Sequence, residues 1–171
     1  MGHEAANFGG NFCGVTEGET ALGNEEWLLR RIHPKQAKLV SKHDGGERPQ
    51  SSTFSASGGN GGISFDRYLT RSRTSGSLID IGKDMGVEQG GGLAAIKVKD
   101  ILGCGLTIEQ TPPPPHHYEA FGVANLPTGN RVRVLKCLAK ASMIAIWPDG
   151  AGGQPNWPPT DRHPPRSNGR R

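Results

Sequence analysis

The chain has 171 residues and a net charge of +4; only 33% of its residues are hydrophobic, while 26 glycines and 13 prolines make up nearly a quarter of it. That length predicts one domain with tails, and that composition predicts a small core. No apolar run approaches ~18 residues and no basic start leads into one, so a membrane-spanning helix and a signal peptide are excluded from the expectation.

The charge is unevenly placed. Residues 1–26 hold Glu4, Glu17, Glu19, Glu25 and Glu26 and no Lys or Arg, whereas the excess of Lys and Arg falls between 27 and 147. Residues 1–24, rich in Gly and Asn, read as a flexible acidic arm. Met1-Gly2 opens like a myristoylation signal, but Ala6 stands where that signal needs Ser or Thr. Residues 24–32 admit either a short helix capped by Asn24 or a strand over 27–32, and Pro34 ends either one. Within this run Arg30 and Arg31 sit beside Leu28, Leu29 and Ile32. One of the two is expected to face inward and to pair with Asp66 or Glu119, because a buried guanidinium needs a partner. That arginine would tie the segment Ser51–Phe54 to the sheet.

Residues 41–62 read as loop on their glycine clusters. Ile63–Tyr68 alternates as a half-buried strand. Ser77–Gly86 leans helical, and Leu93–Lys99 reads as a strand with Ile96 and Val98 inward and both lysines outward. Ile101–Gly105 supplies a turn, Leu106–Glu109 a strand, Pro112–Pro115 a stiff polyproline spacer, and His117–Val123 another strand. From about Gly129 to Ser142 the spacing of Val132, Leu135, Leu138, Ala139 and Ser142 predicts a helix capped by Thr128. Arg131, Arg133, Lys136 and Lys140 populate its remaining surface. Met143–Trp147 forms a last strand. Residues 148–171, with Pro148, Pro155, Pro158, Pro159, Pro164 and Pro165, read as an exposed Pro/Gly/Arg-rich tail that includes Trp157. The prediction is an α+β fold: a single domain over 25–147 with a small mixed sheet, one main C-terminal basic amphipathic helix, and flexible N- and C-terminal tails.

The chemistry-bearing residues form no complete catalytic set. Cys13, Cys104 and Cys137 have no C-x-x-C spacing and predict reduced, partly buried thiols; with no signal peptide, membrane span or myristoylation signal expected, a cytoplasmic protein follows. The histidines are scattered, and adjacent His116 and His117 would point to opposite faces of a strand, so no metal site is expected. The glycine-rich runs at 58–62 and 90–92 lack a P-loop ending and the dinucleotide spacing. Ser51, Ser52, His33 and Asp66 lack a nucleophile-elbow context. What remains is a basic core suited to an anionic partner. The binding residues predicted are Arg30, Arg31, Ser51, Ser52, Arg131, Arg133, Lys136 and Lys140. A protein partner is expected, nucleic acid is the other option through the basic helix, and no cofactor and no membrane are called for.

Leu29–Pro34, then Arg48–Phe54, then Ile63–Arg67 resembles the start of a family of small uncharacterised bacterial proteins. That family opens with Arg-Arg-Ile-x-Pro and continues to a Ser-Ser/Thr-x-Phe segment and a strand. The Pro-rich turn, His117-Tyr118-Glu119, Gly122 and the basic run Leu135–Ala141 extend the resemblance over roughly 27–147. It brings no activity with it. Short length, charge-divided tails and the missing catalytic set point to a non-enzymatic binding or accessory component of a larger system, such as a defence or toxin module. A second, more distant pattern resembles the Arg–Ser–Glu site of ADP-ribosyltransferases. That resemblance implies Arg30 or Arg31 on the phosphate or ribose of nicotinamide dinucleotide, Ser52 orienting the ribose, and Glu119 stabilising an oxocarbenium-like centre. The chain lacks that family's Glu-x-Glu or Gln-x-Glu pair and its Tyr-rich loop.

Overall fold

Trp27–Ile32 is a strand, β1, not a helix, and it lies near the middle of the sheet. The reason is visible in its side chains: Leu28 and Ile32 are buried on one face, Leu29 on the other, so the run needs a neighbour on each side. The computed structural model describes residues 21–41, 46–56, 61–87, 89–111, 113–150 and 152–159. The arm before residue 21 and the tail after 159 lie outside the described residues.

The architecture is α+β. Six strands, β1, β4 (Ile63–Arg67), β5 (Gly92–Lys97), β6 (Thr107–Gln110), β7 (His117–Phe121) and β8 (Met143–Ile146), run in the order β6-β7-β4-β1-β5-β8. Every neighbouring pair is antiparallel, so the expected mixed sheet is corrected to an antiparallel one. A two-stranded hairpin of β2 (Val40–Ser41) and β3 (Glu47–Arg48) stands apart from it. β3 leads into a 3₁₀ turn at Ser51–Phe54.

Four α-helices cover the sheet. α1 (Tyr68–Ser75) and α3 (Val98–Gly103) leave β4 and β5 with no connecting loop. The sequence pattern missed both: α1 has no fully buried residue and so no apolar stripe, and α3 was read as strand and then turn. The first amides of α3 are satisfied from outside, since Val98 N–H donates to the Glu26 carbonyl at 3.0 Å and Lys99 N–H to that of Asn24 at 2.9 Å. Asn24 thus caps a helix other than the one expected of it. α2 (Leu78–Asp84) is capped by the Ser77 hydroxyl. α4 (Thr128–Ala141) has Pro127, not Thr128, at its cap position.

The core has two parts, one on each face. On one face Leu28, Ile32, Phe54, Phe65, Ala94 and Ile96 meet Ile101, Leu138 and Ala139 of α3 and α4. On the other, Leu29, Leu93, Ala95 and Ile146 meet Ile81 of α2. Gly92 must be glycine, because a Cβ there would lie 2.4 Å from the Ile146 carbonyl oxygen. Pro113–Pro115 lie in a hairpin turn and form no spacer: Thr111 N–H donates to the His117 carbonyl and His117 N–H to that of Pro114. The tail does not leave the domain at 148. Gly153 bridges Ile146, and Trp157 packs on Trp27 and Tyr68 at ring separations of 5.4 and 5.9 Å.

Charges at the rim of the sheet are paired. Arg67, 1% exposed, donates to Glu26 through two nitrogens at 2.6 and 2.7 Å. Lys97, expected outward, is buried over the Trp27 ring and bonds Glu25 at 2.8 Å, with Lys99 on the other oxygen. Those two ammoniums hold the Glu25 carboxyl below its usual 4.5. A depressed carboxyl stabilises the fold fully above its unfolded value and loses that contribution as pH falls through the folded one. Glu25→Gln should therefore lower the urea midpoint near neutrality and match the parent in acid, when both are followed across about pH 3 to 6.

The expectation of free thiols is also corrected. Cys104, at the end of α3, and Cys137, on α4, form a disulfide across 33 residues with Cα atoms 5.8 Å apart. Helix packing, not sequence spacing, brings them together. Replacing both by serine should cost about 2–4 kcal/mol in chemical denaturation, as expected for a loop of that length.

Candidate basic binding site

Of the two arginines, Arg30 faces inward and Arg31 is exposed on the opposite face of β1, as strand alternation requires. Arg30 finds no carboxylate. Its Nε donates to the Thr53 carbonyl at 2.6 Å, Nη1 to that of Ser64 at 2.7 Å and Nη2 to that of Ser55 at 2.8 Å. The expected counter-charges are elsewhere: Asp66 receives Arg71 Nε at 2.9 Å, and Glu119 lies with Ser64 on the other face. Burial, and next the neighbouring charge of Arg31, push the Arg30 guanidinium down to about 10, so it is still protonated at neutral pH. Arg31 reaches the Gly86 carbonyl at 3.2 Å.

The three carbonyls define what Arg30 does. Two of them belong to the segment around the 3₁₀ turn and one to β4, so the side chain ties the turn to the sheet. Gln36 adds a bond to the Ser52 carbonyl at 2.8 Å. Held this way, the turn packs under α4, with Phe54 in the shared core.

A concavity of about 580 Å³ opens between the turn and α4, lined by Val40, Arg48, Gln50, Ser51, Ser52, Lys136 and Lys140. It brings together four of the sequence-predicted binding residues, Ser51, Ser52, Lys136 and Lys140, from segments more than eighty positions apart. Among the described residues no carboxylate lines it. The side chains of Arg48, Lys136 and Lys140 make no hydrogen bond or ion pair among the described residues, and the Ser51 hydroxyl has no partner there. The Ser52 hydroxyl lies 3.4 Å from the Gln50 amide oxygen. A second concavity of about 570 Å³ shares Lys136 and Lys140 and is completed by Arg133, Cys137 and Ala141.

Other predicted residues lie apart. Arg131 turns back to the carbonyls of Ala124 and Leu126 and closes the loop before α4. The Arg–Ser–Glu constellation is not assembled: Arg30 is consumed by carbonyls, and Glu119 is on the opposite face of the sheet from Arg30 and Phe54. Among the described residues no group of three or more His, Cys, Asp or Glu is placed to hold a metal, and no helix is long and apolar enough to cross a membrane. Arg48 was missed as a binding residue. Its signal was its place just before the Pro49–Ser52 run, but nothing in the sequence shows that a two-residue strand would aim it at α4. Comparison with known proteins finds no matching family model, no similar curated protein and no similar solved structure.

Arg30 fixes this site, so its replacement should be costly. Arg30→Met should destabilise by about 1–3 kcal/mol, since it leaves the Thr53, Ser64 and Ser55 carbonyls without their donor, and Arg30→Lys by less, since an ammonium reaches fewer of the three. Urea denaturation of both variants reads the difference.

Proposed function

We propose that this protein works by binding and not by catalysis, as an accessory component that engages an anionic partner through the basic surface of α4 and Arg48. The observation that carries this reading is the convergence of Arg48, Lys136 and Lys140 on a concavity with no carboxylate in its lining among the described residues. By contrast, Arg67, Arg71, Lys83, Lys97 and Lys99 each meet an acid. Uncompensated charge gathered on one concave surface raises the local potential and steers an oppositely charged partner toward it. In this reading α4 is the basic amphipathic helix of the fold, with Leu138 and Ala139 in the core and Arg133, Lys136 and Lys140 toward the partner.

The partner is a protein with an acidic face. Among the described residues no aromatic side chain lines either concavity to stack on an unpaired base. The Cys104–Cys137 bond favours a compartment that keeps disulfides oxidised over the expected cytoplasm.

The test is charge reversal. Binding of a labelled poly-glutamate peptide should weaken with added salt and fall by at least about tenfold in Lys136→Glu/Lys140→Glu, with the melting temperature unchanged. Binding that survives both salt and charge reversal would sink the reading.

A further inference from the structure

We propose that the Arg48–Lys136–Lys140 concavity is a receptor for a phosphate monoester dianion carried on an extended peptide; this rests on the anionic-partner reading above. Charge balance is the first argument. Three cations face one space with no acid among its described lining residues, and Arg30, bonded to carbonyls, lies beneath the turn that forms its wall. A carboxylate supplies one negative charge, whereas a phosphoserine supplies about −1.5 to −2 at neutral pH and three acceptor oxygens. Donor chemistry is the second argument. Arg48 offers a planar fork that matches phosphate geometry, and Lys136 and Lys140 offer point charges. Ser51, whose hydroxyl has no partner among the described residues, Ser52 and Gln50 add neutral donors at the same wall.

The third argument concerns what lies beside the phosphate. The second concavity continues from Lys136 and Lys140 along α4 and is floored by Cys137 and Ala141, with Arg133 at its side. A ligand consisting of the phosphate alone would leave it empty, whereas a chain running along α4 would lay a flanking side chain there. The two walls are fixed before any ligand arrives. Arg30 holds the turn, and the Cys104–Cys137 bond holds α4, so little ordering cost falls on binding.

The experiment uses the full chain and a labelled neutral peptide in three forms, with phosphoserine, serine or glutamate at its centre, together with a labelled single-stranded oligonucleotide. Fluorescence anisotropy should show the phosphoserine form binding at least about tenfold more tightly than the glutamate form. That preference should collapse in Arg48→Ala and in Ser51→Ala/Ser52→Ala, with melting temperatures unchanged, while Arg133→Ala weakens all three forms alike. Equal binding of the phosphoserine and glutamate forms, lost in Lys136→Glu/Lys140→Glu, would overturn the phosphate pocket and leave the anionic-partner reading standing. The oligonucleotide binding more tightly than the phosphopeptide, with no response to the serine substitutions, would also overturn it in favour of nucleic acid. No binding by any probe would remove both readings.

Discussion

A half-buried guanidinium must be given acceptors, and the way Arg30 is given them organises the binding side of this molecule. The acceptors are backbone carbonyls from a segment too short and too irregular to satisfy itself. One side chain thereby does for residues 53–55 what a sheet ladder does for a strand. The same bonds decide where Ser51 and Ser52 sit relative to α4, so the concavity depends on a residue that does not line it. An acid at this position would neutralise the arginine but would not hold the turn.

The acidic start of the sequence has a specific use. Glu25 and Glu26 pair with Lys97, Lys99 and Arg67 at the entry to β1, and backbone carbonyls of the same stretch cap α3. Two of the five glutamates of residues 1–26 thus meet cations inside the fold on the β1–β5 side. Among the described residues the cations of α4 meet no acid. Net charge alone does not distinguish these two situations; the pairing does.

How much of this was legible in sequence follows from the range of each interaction. β4, β6, β7, β8 and α4 carry their own periodicity and were placed within a residue or two. α1 was invisible because its residues from Tyr68 to Ser75 have no buried stripe, and α3 because its first residue, Val98, continues the alternation of β5. The inward arginine was expected, but its partners are carbonyls, which every residue has and no sequence marks. Cys104 and Cys137 meet only because α3 and α4 pack together. For the site, residue type singled out Ser51, Ser52, Lys136 and Lys140, while their convergence, and the part of Arg48, required the fold. Val132, counted on the apolar stripe of α4, is 43% exposed, because α4 meets the core chiefly through its C-terminal half.

The docking of the chain beyond β8 has a consequence for how the molecule behaves among copies of itself. An open sheet has two outer strands whose free amides and carbonyls can template pairing with another chain. At β8 that row is occupied by the protein's own backbone: Gln154 N–H donates to Ala145 and Trp147 N–H to Gly152, while Trp157 lies over the adjoining apolar face. At the other end, β6 is four residues long and presents Thr107 and Glu109 to solvent. The apolar edge is sealed and the open one is short and charged, so sheet-to-sheet growth is discouraged at both ends by different means.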